Sequence, residues 1–143
     1  MSRRALALLS VAALSGVAAC GGDSETDHAR KAAETYVHDL GTRDGEAVCS
    51  DMTKALQKQF TETVVRGNPE VRGQTCGQIM SQALRSIPYD QLKQFSTAKI
   101  EDVKVDGTGG SFVYRLRDLK VDGKVAQESG AWKVSCCVPG QEG

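Results

Sequence analysis

Apolar residues recur at helical spacing through the first part of the chain and change to strand-like alternation after it. One helix face is marked by apolar residues at the i, i+3, i+4, i+7 spacing, namely Ala29, Ala32, Ala33, Tyr36, Val37 and Leu40. Asp27 is the candidate N-cap of this helix, and Gly41 is its candidate stop signal. The pattern predicts an amphipathic first helix whose buried side includes Tyr36.

The next apolar stretches predict further helices. A helical piece around Cys49 is continued after Thr53, the candidate N-cap of a stretch that carries Leu56, Phe60 and Val64 one turn apart. Thr75 is the candidate N-cap of a third helix, which ends before Pro88 because the residue preceding a proline disfavours helical geometry. Residues 89–95 predict one more helical turn.

Strand signals begin in the last third of the chain, where the apolar period falls to two residues. Ile100 and Val103 predict a first strand with a bulge between them. Residues 106–110 predict a hairpin loop, and Phe112 and Tyr114 alternate with their neighbours as a second strand.

The end of the chain predicts a second hairpin and a final strand. Asp122-Gly123 is the strongest two-residue hairpin signal present, and residues 125–127 predict a weak strand after it. Trp132 and Val134 then lie on one face of a last strand, with Lys133 on the other. Helices followed by an antiparallel meander predict an α+β fold, with N-terminal helices packed on a curved antiparallel sheet of three to four strands.

The N-terminus has the pattern of an export signal. Two arginines precede a short apolar run that ends in small residues, which predicts a signal peptide over residues 1–19. The run is shorter than the roughly 20 residues that a transmembrane helix needs. The final Val17-Ala18-Ala19-Cys20 resembles the lipobox of bacterial lipoproteins, in which the cysteine is acylated and becomes the mature N-terminus.

This pattern also predicts where the protein is located. Lipidated Cys20 and a tether over residues 20–26 would hold the chain at the extracytoplasmic face of the cell membrane, through at least two acyl chains. Residues 27–138 would form a single domain, and residues 139–143 a tail. The adjacent Arg3 and Arg4 fit general secretion and twin-arginine export, so the export route stays open.

Charge and cysteine content narrow the class of protein. Of 143 residues, 124 remain after the signal, with 16 basic residues against 18 acidic ones and both signs interspersed. This balance excludes the clustered basic face of a nucleic-acid-binding domain. The four cysteines besides Cys20 predict disulfides in an exported domain, and the sequence leaves all three pairings open.

Two local motifs carry a resemblance to a known family. Ala33-Glu34-x-Tyr36-Val37, followed by Asp44-Gly45-Glu46-Ala47-Val48-Cys49, and the ending Gly130-Ala131-Trp132-Lys133-Val134 resemble small actinobacterial lipoproteins with a domain like that of nuclear transport factor 2. The resemblance implies a cone: a curved sheet wrapped round a long helix, with an apolar pocket inside. In such a cone, Tyr36, Tyr114 and Trp132 are the candidate pocket residues.

The resemblance also favours one cysteine pairing. Similar lipoproteins carry cysteines at the places of Cys49 and Cys76, and two helices facing one sheet can bring these sulfur atoms together. We therefore predict a Cys49–Cys76 disulfide. Cys136 and Cys137 would then either bond to each other or stay reduced.

The sequence offers few candidates for catalysis. His28 and His38 are predicted to face solvent, Asp39 only flanks the apolar stripe, and no carboxylate pair lies at a clearly buried phase. No nucleophile elbow, phosphate-binding loop or zinc-ligand spacing occurs, so we predict no metal and no cofactor.

Three hypotheses for the function follow. The first is a lipoprotein with a non-catalytic domain that binds a small apolar ligand or an envelope partner. The second is an enzyme of the isomerase or dehydratase type in the same cone, because relatives of that fold include both. The third is a structural or regulatory accessory domain without a ligand.

Overall fold

The helices precede the sheet, as the sequence predicts. The computed structural model of the chain describes residues 23–137, and the predicted signal peptide, Cys20, the first part of the tether and the tail lie outside this range. Its helices are α1 (Glu25–Thr42), α2 (Gly45–Ser50), α3 (Lys54–Gly67), α4 (Cys76–Ser86) and α5 (Tyr89–Ser96), with a short 3-10 turn at Pro69–Val71. Its strands are β1 (Lys99–Asp106), β2 (Gly109–Leu116), β3 (Leu119–Glu128) and β4 (Ala131–Cys136). The α+β fold class and a four-stranded sheet are confirmed.

The start of α1 differs from the prediction. The N-cap is Ser24 and not Asp27, so the helix begins at Glu25. The Ser24 hydroxyl accepts a hydrogen bond from the Asp27 amide at 3.2 Å, and the Asp27 carboxylate accepts one from the Ser24 amide at 3.0 Å. This reciprocal capping box satisfies two amides that the helix leaves free, and it explains why an acidic residue in the first turn resembled a cap.

Gly41 does not stop α1, contrary to the prediction. The helix continues through Gly41 to Thr42 and ends at Arg43, whose φ of 63° is left-handed. A Cβ atom on Gly41 would lie 2.6 Å from the Ser96 backbone nitrogen. The glycine is therefore needed for close packing of α1 against the end of α5, and the local stop signal is overridden by this contact.

The two later caps are confirmed. The Thr53 hydroxyl accepts a hydrogen bond from the Leu56 amide at 3.3 Å, and the Thr75 hydroxyl accepts one from the Gln78 amide at 3.2 Å. Gln78 completes a second capping box by accepting from the Thr75 amide. Both helices therefore start where their own sequence places them.

The strands form one open antiparallel sheet in the order β1-β2-β3-β4. The predicted bulge between Ile100 and Val103 is present as a shift in the β1–β2 register. The helices cover one face of the sheet, and α1 packs against residues of all four strands. The side chains buried between these layers include Tyr36, Val37, Leu40, Leu92, Phe112, Tyr114, Val125 and Val134.

The prediction of a hairpin turn at Asp122-Gly123 is wrong. Both residues lie inside β3, and the turn that joins β2 to β3 is formed by Arg117 and Asp118. Gly123 pairs with Phe112, and a Cβ atom on Gly123 would collide with the Phe112 ring. The glycine therefore serves to admit an aromatic ring and not to form a turn. The first hairpin loop is also shorter than predicted, since only residues 107–108 separate β1 from β2.

The predicted Cys49–Cys76 disulfide is confirmed. It joins α2 to α4 across a sequence separation of 27 residues, with the two Cα atoms 6.0 Å apart. Closing a loop of this length stabilises the fold by about 3–4 kcal/mol on the chain-entropy account. A second disulfide joins Cys136 and Cys137 at the end of β4. Among the helices of residues 23–137, none combines the length and hydropathy that a bilayer-spanning segment requires.

The packing of Phe112 on Gly123 gives a prediction for stability. Gly123→Ala should lower the free energy of unfolding by about 1–3 kcal/mol, because the added methyl group overpacks a core ring. Urea unfolding followed by tryptophan fluorescence measures this change. Gly109→Ala is the matched control in the same sheet, since its nearest heavy atom would lie at 3.9 Å. Equal stability of the two variants would contradict the role given to Gly123.

Candidate functional site

A groove runs along the outer edge of β4. One wall is the N-terminal half of α1, with Lys31, Ala32 and Thr35, and the other is β4, with Trp132 and Lys133. The segment after α2 closes one end with Asp51. The groove encloses about 390 Å³, which is the size of a small-molecule site.

The groove exists because residues 51–53 pair with β4. The Val134 amide donates to the Asp51 carbonyl at 2.8 Å, and the Thr53 amide donates to the Val134 carbonyl at 2.8 Å. These bonds form a short parallel bridge on the edge of an otherwise antiparallel sheet. The Lys133 ammonium group donates to the Ser50 carbonyl at 2.6 Å, so the lysine side chain reaches across the same edge. The pairing fixes Asp51 at the end of the groove.

The indole of Trp132 is held by the first turn of α1. Its Nε1 donates to the Glu25 carboxylate at 2.6 Å, and the side-chain amide of Gln127 donates to the same oxygen at 2.8 Å. The ring is buried apart from a small part that lines the groove. A fixed aromatic surface of this kind suits a flat apolar ligand group.

The backbone of Trp132 also faces the groove. Along a strand, the N–H and C=O groups of every second residue point to the same edge. Those of Val134 bond to residues 51–53, so those of Trp132 point to the same side. The pairing of Gln127, the residue opposite Trp132 on β3, supports this orientation. The backbone N–H of Gln127 donates to the Thr108 carbonyl, so it points away from Trp132. Trp132 therefore offers a backbone donor and an acceptor on the groove side of β4.

Two carboxyl groups meet at the end of the groove. Burial, the negative charge of Asp39 and hydrogen bonding with Asp39 together raise the pKa of Asp51 to about 7, while Lys133 acts in the opposite direction. On its other side, Asp39 lies 3.2 Å from the His38 ring nitrogen Nδ1. Two adjacent carboxyl groups share a proton more readily than they both ionise. Within this pair, Asp51 is therefore the carboxyl group that keeps a proton up to about neutral pH.

Two tyrosine hydroxyls lie behind this pair. Burial raises the pKa of Tyr114 to about 12 and raises that of Tyr36 still more, with contributions from the charges of Tyr114 and Asp51. Both hydroxyls, and the Oδ2 atom of Asp51, are buried without a hydrogen-bond partner among residues 23–137. The interior behind the groove therefore contains polar atoms, namely these hydroxyls and the Asp51 oxygen. It is closed to solvent there, since Tyr36 and Tyr114 are almost fully buried.

The structure separates the predicted pocket residues. Trp132 lines the groove, whereas Tyr36 and Tyr114 lie in the core and do not line it. Their rings fill the space between α1 and the sheet, where the family resemblance implies an apolar pocket.

The expectation that no carboxylate pair lies at a clearly buried position holds, because Asp39 and Asp51 are both partly exposed, but the sequence did not indicate that the two would meet. Asp39 flanks the stripe of α1 as predicted, but Asp51 reaches it from the link between α2 and α3. Asp51 lies outside any periodic segment, so no spacing rule applies to it. His38 is exposed as predicted, and His28 lies beside the groove.

Two other depressions offer weaker sites. An apolar cleft between α1, α4 and α5 encloses about 80 Å³, which is smaller than a cavity that holds benzene, about 150 Å³. A wider depression of about 440 Å³ lies on the exposed face of α3 and has no aromatic surface. Within residues 23–137, no group of three histidine, cysteine or acidic side chains is placed to hold a metal ion.

Comparisons of this chain with family models, with curated proteins and with solved structures give no match. The resemblance to small lipoproteins with a nuclear-transport-factor-2-like domain therefore stays a prediction. The site has to be interpreted from its own residues.

The raised pKa of Asp51 makes stability depend on pH. Between pH values of about 4 and about 7, the folded chain keeps a proton on Asp51 that the unfolded chain has lost. The free energy of unfolding should therefore fall as pH rises through this range, and Asp51→Asn should remove that fall.

We expect the stability difference between Asp51→Asn and the parent to change by about 1–2 kcal/mol across that range, less than the full shift because the residue is only partly buried. Urea unfolding at about pH 4.5 and about pH 8 measures it. Asp102→Asn, an exposed carboxylate of β1, is the control and should behave as the parent. An unchanged pH dependence in Asp51→Asn would show that Asp51 titrates normally.

Proposed function

We propose that this chain is an exported lipoprotein, anchored by Cys20 at the extracytoplasmic face of the cell membrane, whose domain binds a small molecule in the groove along β4. The groove carries the proposal, because it combines a fixed indole surface with polar groups at its rim and a volume of about 390 Å³. Binding without chemical conversion is the proposed role, in line with the absence of a catalytic motif from the sequence.

The space between α1 and the sheet is filled by side chains, so we place the proposed binding site at the edge of the sheet. Phe112 stacks on Tyr114 with ring centroids 6.1 Å apart, and Tyr36 occupies the space next to them. A ligand of more than a few atoms therefore fits the groove better than the interior. This placement also favours a ligand with polar groups over a purely apolar one, because lysine and aspartate side chains line the groove.

An acid–base enzyme is the second candidate, and one observation favours it. The Asp51 carboxyl faces the groove, and its pKa near 7 suits a group that takes up and releases a proton at neutral pH. Within residues 23–137, no tyrosine hydroxyl is hydrogen-bonded to this carboxyl, and the sequence carries no catalytic motif to act with it. Ligand binding is therefore the better supported of the two.

Lipidation of Cys20 is tested by mutation. The sequence Val17-Ala18-Ala19-Cys20 motivates the prediction. Cys20→Ala should leave an uncleaved or soluble product, because acylation requires the cysteine thiol, whereas the parent should fractionate with membranes and carry an acyl mass on its N-terminal peptide. Cys76→Ser, which breaks a disulfide outside the signal, is the control and should still be acylated. A mature-sized Cys20→Ala protein in the membrane fraction, with no acyl mass on the parent, would overturn the anchor.

Ligand binding in the groove is tested with an amphiphilic dye. Trp132 is the single tryptophan of the chain, so energy transfer from it to 8-anilinonaphthalene-1-sulfonate reports binding close to the groove. Thr35→Phe fills the groove from α1 and should weaken binding at least about tenfold, since the dye and the new ring compete for the same space. Glu34→Phe adds the same ring one residue away, outside the groove, and should leave binding unchanged. Equal binding by both variants, or no saturable binding by the parent, would favour an accessory domain without a ligand.

A further inference from the structure

We propose that the groove along β4 selects a small anionic amphiphile and that Asp51, which faces the groove beside Asp39, takes up a proton when this ligand binds. This inference rests on the proposed function and adds to it the class of ligand and the way in which its binding is controlled.

The charges around the groove favour an anion. Lys31 and Lys133 line it from opposite walls, and His28 lies at the end towards the start of α1. Asp51 is the one carboxylate among the described lining residues. Glu25 lies close by at the indole Nε1 atom, but its carboxylate already accepts hydrogen bonds from Trp132 and Gln127. An anionic group in the groove therefore meets the ammonium group of Lys31, that of Lys133, which also donates to the Ser50 carbonyl, and one titratable carboxyl.

The uncharged surfaces favour an amphiphile with a flat body. The indole of Trp132 provides an aromatic face, and Ala32 and Ala131 line the groove without filling it. The Trp132 amide, which points to this edge of β4, adds a neutral donor suited to a carboxylate or sulfonate oxygen. A ligand with a ring and one anionic group matches both features, whereas an inorganic anion would leave the indole unused.

The position of the carboxyl pair couples this ligand to a proton. Asp51 faces the groove, and when it is ionised its charge repels an anion there. The groups that surround it are Asp39 and His38 at the other end of α1, the buried hydroxyls of Tyr36 and Tyr114, and Lys133 on β4.

Burial and Asp39 keep the pKa of the Asp51 carboxyl near 7, so its charge is lost or gained close to neutral pH. A bound anion stabilises the protonated form of Asp51, and the same coupling makes the anion bind more tightly when Asp51 is protonated. Affinity should therefore rise as pH falls through neutrality.

Two probes with the same aromatic body separate charge from shape. 8-Anilinonaphthalene-1-sulfonate keeps its negative charge across the pH range, and N-phenyl-1-naphthylamine has no charge. For the parent protein, we expect the sulfonate to bind about five- to tenfold more tightly at about pH 5.5 than at about pH 8.5, because one nearby unit charge is removed. The uncharged probe should bind with little dependence on pH.

Variants assign the effect to its residue. Asp51→Asn should bind the sulfonate at both pH values as tightly as the parent does at low pH, and Asp39→Asn should move the midpoint of the affinity change to lower pH. His28→Gln tests the other titratable group of the groove and should keep the pH dependence of the parent. Lys133→Gln should weaken binding of the sulfonate and leave binding of the uncharged probe unchanged. Circular dichroism of each variant shows that the fold is retained.

The outcomes are distinct. An Asp51→Asn variant with the pH dependence of the parent, or a His28→Gln variant without it, overturns the coupling while groove binding stands. Tighter binding of the uncharged probe at low pH overturns the anionic class. If neither probe binds and Thr35→Phe has no effect, the proposed function itself fails, and this inference with it.

Discussion

The pairing of residues 51–53 with the edge of β4 fixes the link between α2 and α3 to the sheet. Val134 bonds to Asp51 through its amide and to Thr53 through its carbonyl, and this bridge attaches part of the helical half directly to the sheet. Thr53 is at the same time the N-cap of α3, so one residue ends the bridge and begins a helix. The Cys49–Cys76 disulfide, two residues upstream of the bridge, ties the same link to α4. The groove and its carboxyl group follow from this one connection.

The bridge also sets the electrostatics of the site. Because the Asp51 backbone is bound to β4, its side chain is directed towards α1, where Asp39 is already fixed by the helix. Burial disfavours the charged form of a carboxyl group, and a second carboxylate nearby disfavours it again. Lys133 offsets this only in part, since its ammonium group is bound to the Ser50 carbonyl. An aspartate on an open surface would have neither the burial nor the neighbouring carboxylate that raise the pKa of Asp51.

Local signals correctly predicted where α3 and α4 begin, because those signals act within a single turn. Thr53 and Thr75 cap helices because their hydroxyls reach amides three residues ahead, and this reach depends on sequence alone. Gly123 shows the limit of the same logic. Asp-Gly favours a tight turn locally, but the Phe112 ring from the neighbouring strand requires a residue without a side chain at that point. The placement of Asp51 beside Asp39 was not predicted for a different reason. Asp51 lies in a short link between two helices, where the spacing of apolar residues gives no information about which way a side chain points. Its role depends on a strand more than 80 residues later, namely the hydrogen bonds with Val134.

The capping box at Ser24 has a consequence for how a ligand would reach the groove. Because α1 begins at Glu25, only five peptide steps separate it from Cys20, which corresponds to about 17 Å at full extension. Glu25 itself bonds to Trp132, so the indole end of the groove is tied to the start of the same helix. With Cys20 lipidated as proposed, the groove would stay within a thin layer next to the bilayer surface. Amphiphiles accumulate in that layer, and the search for a ligand would be confined to two dimensions instead of three.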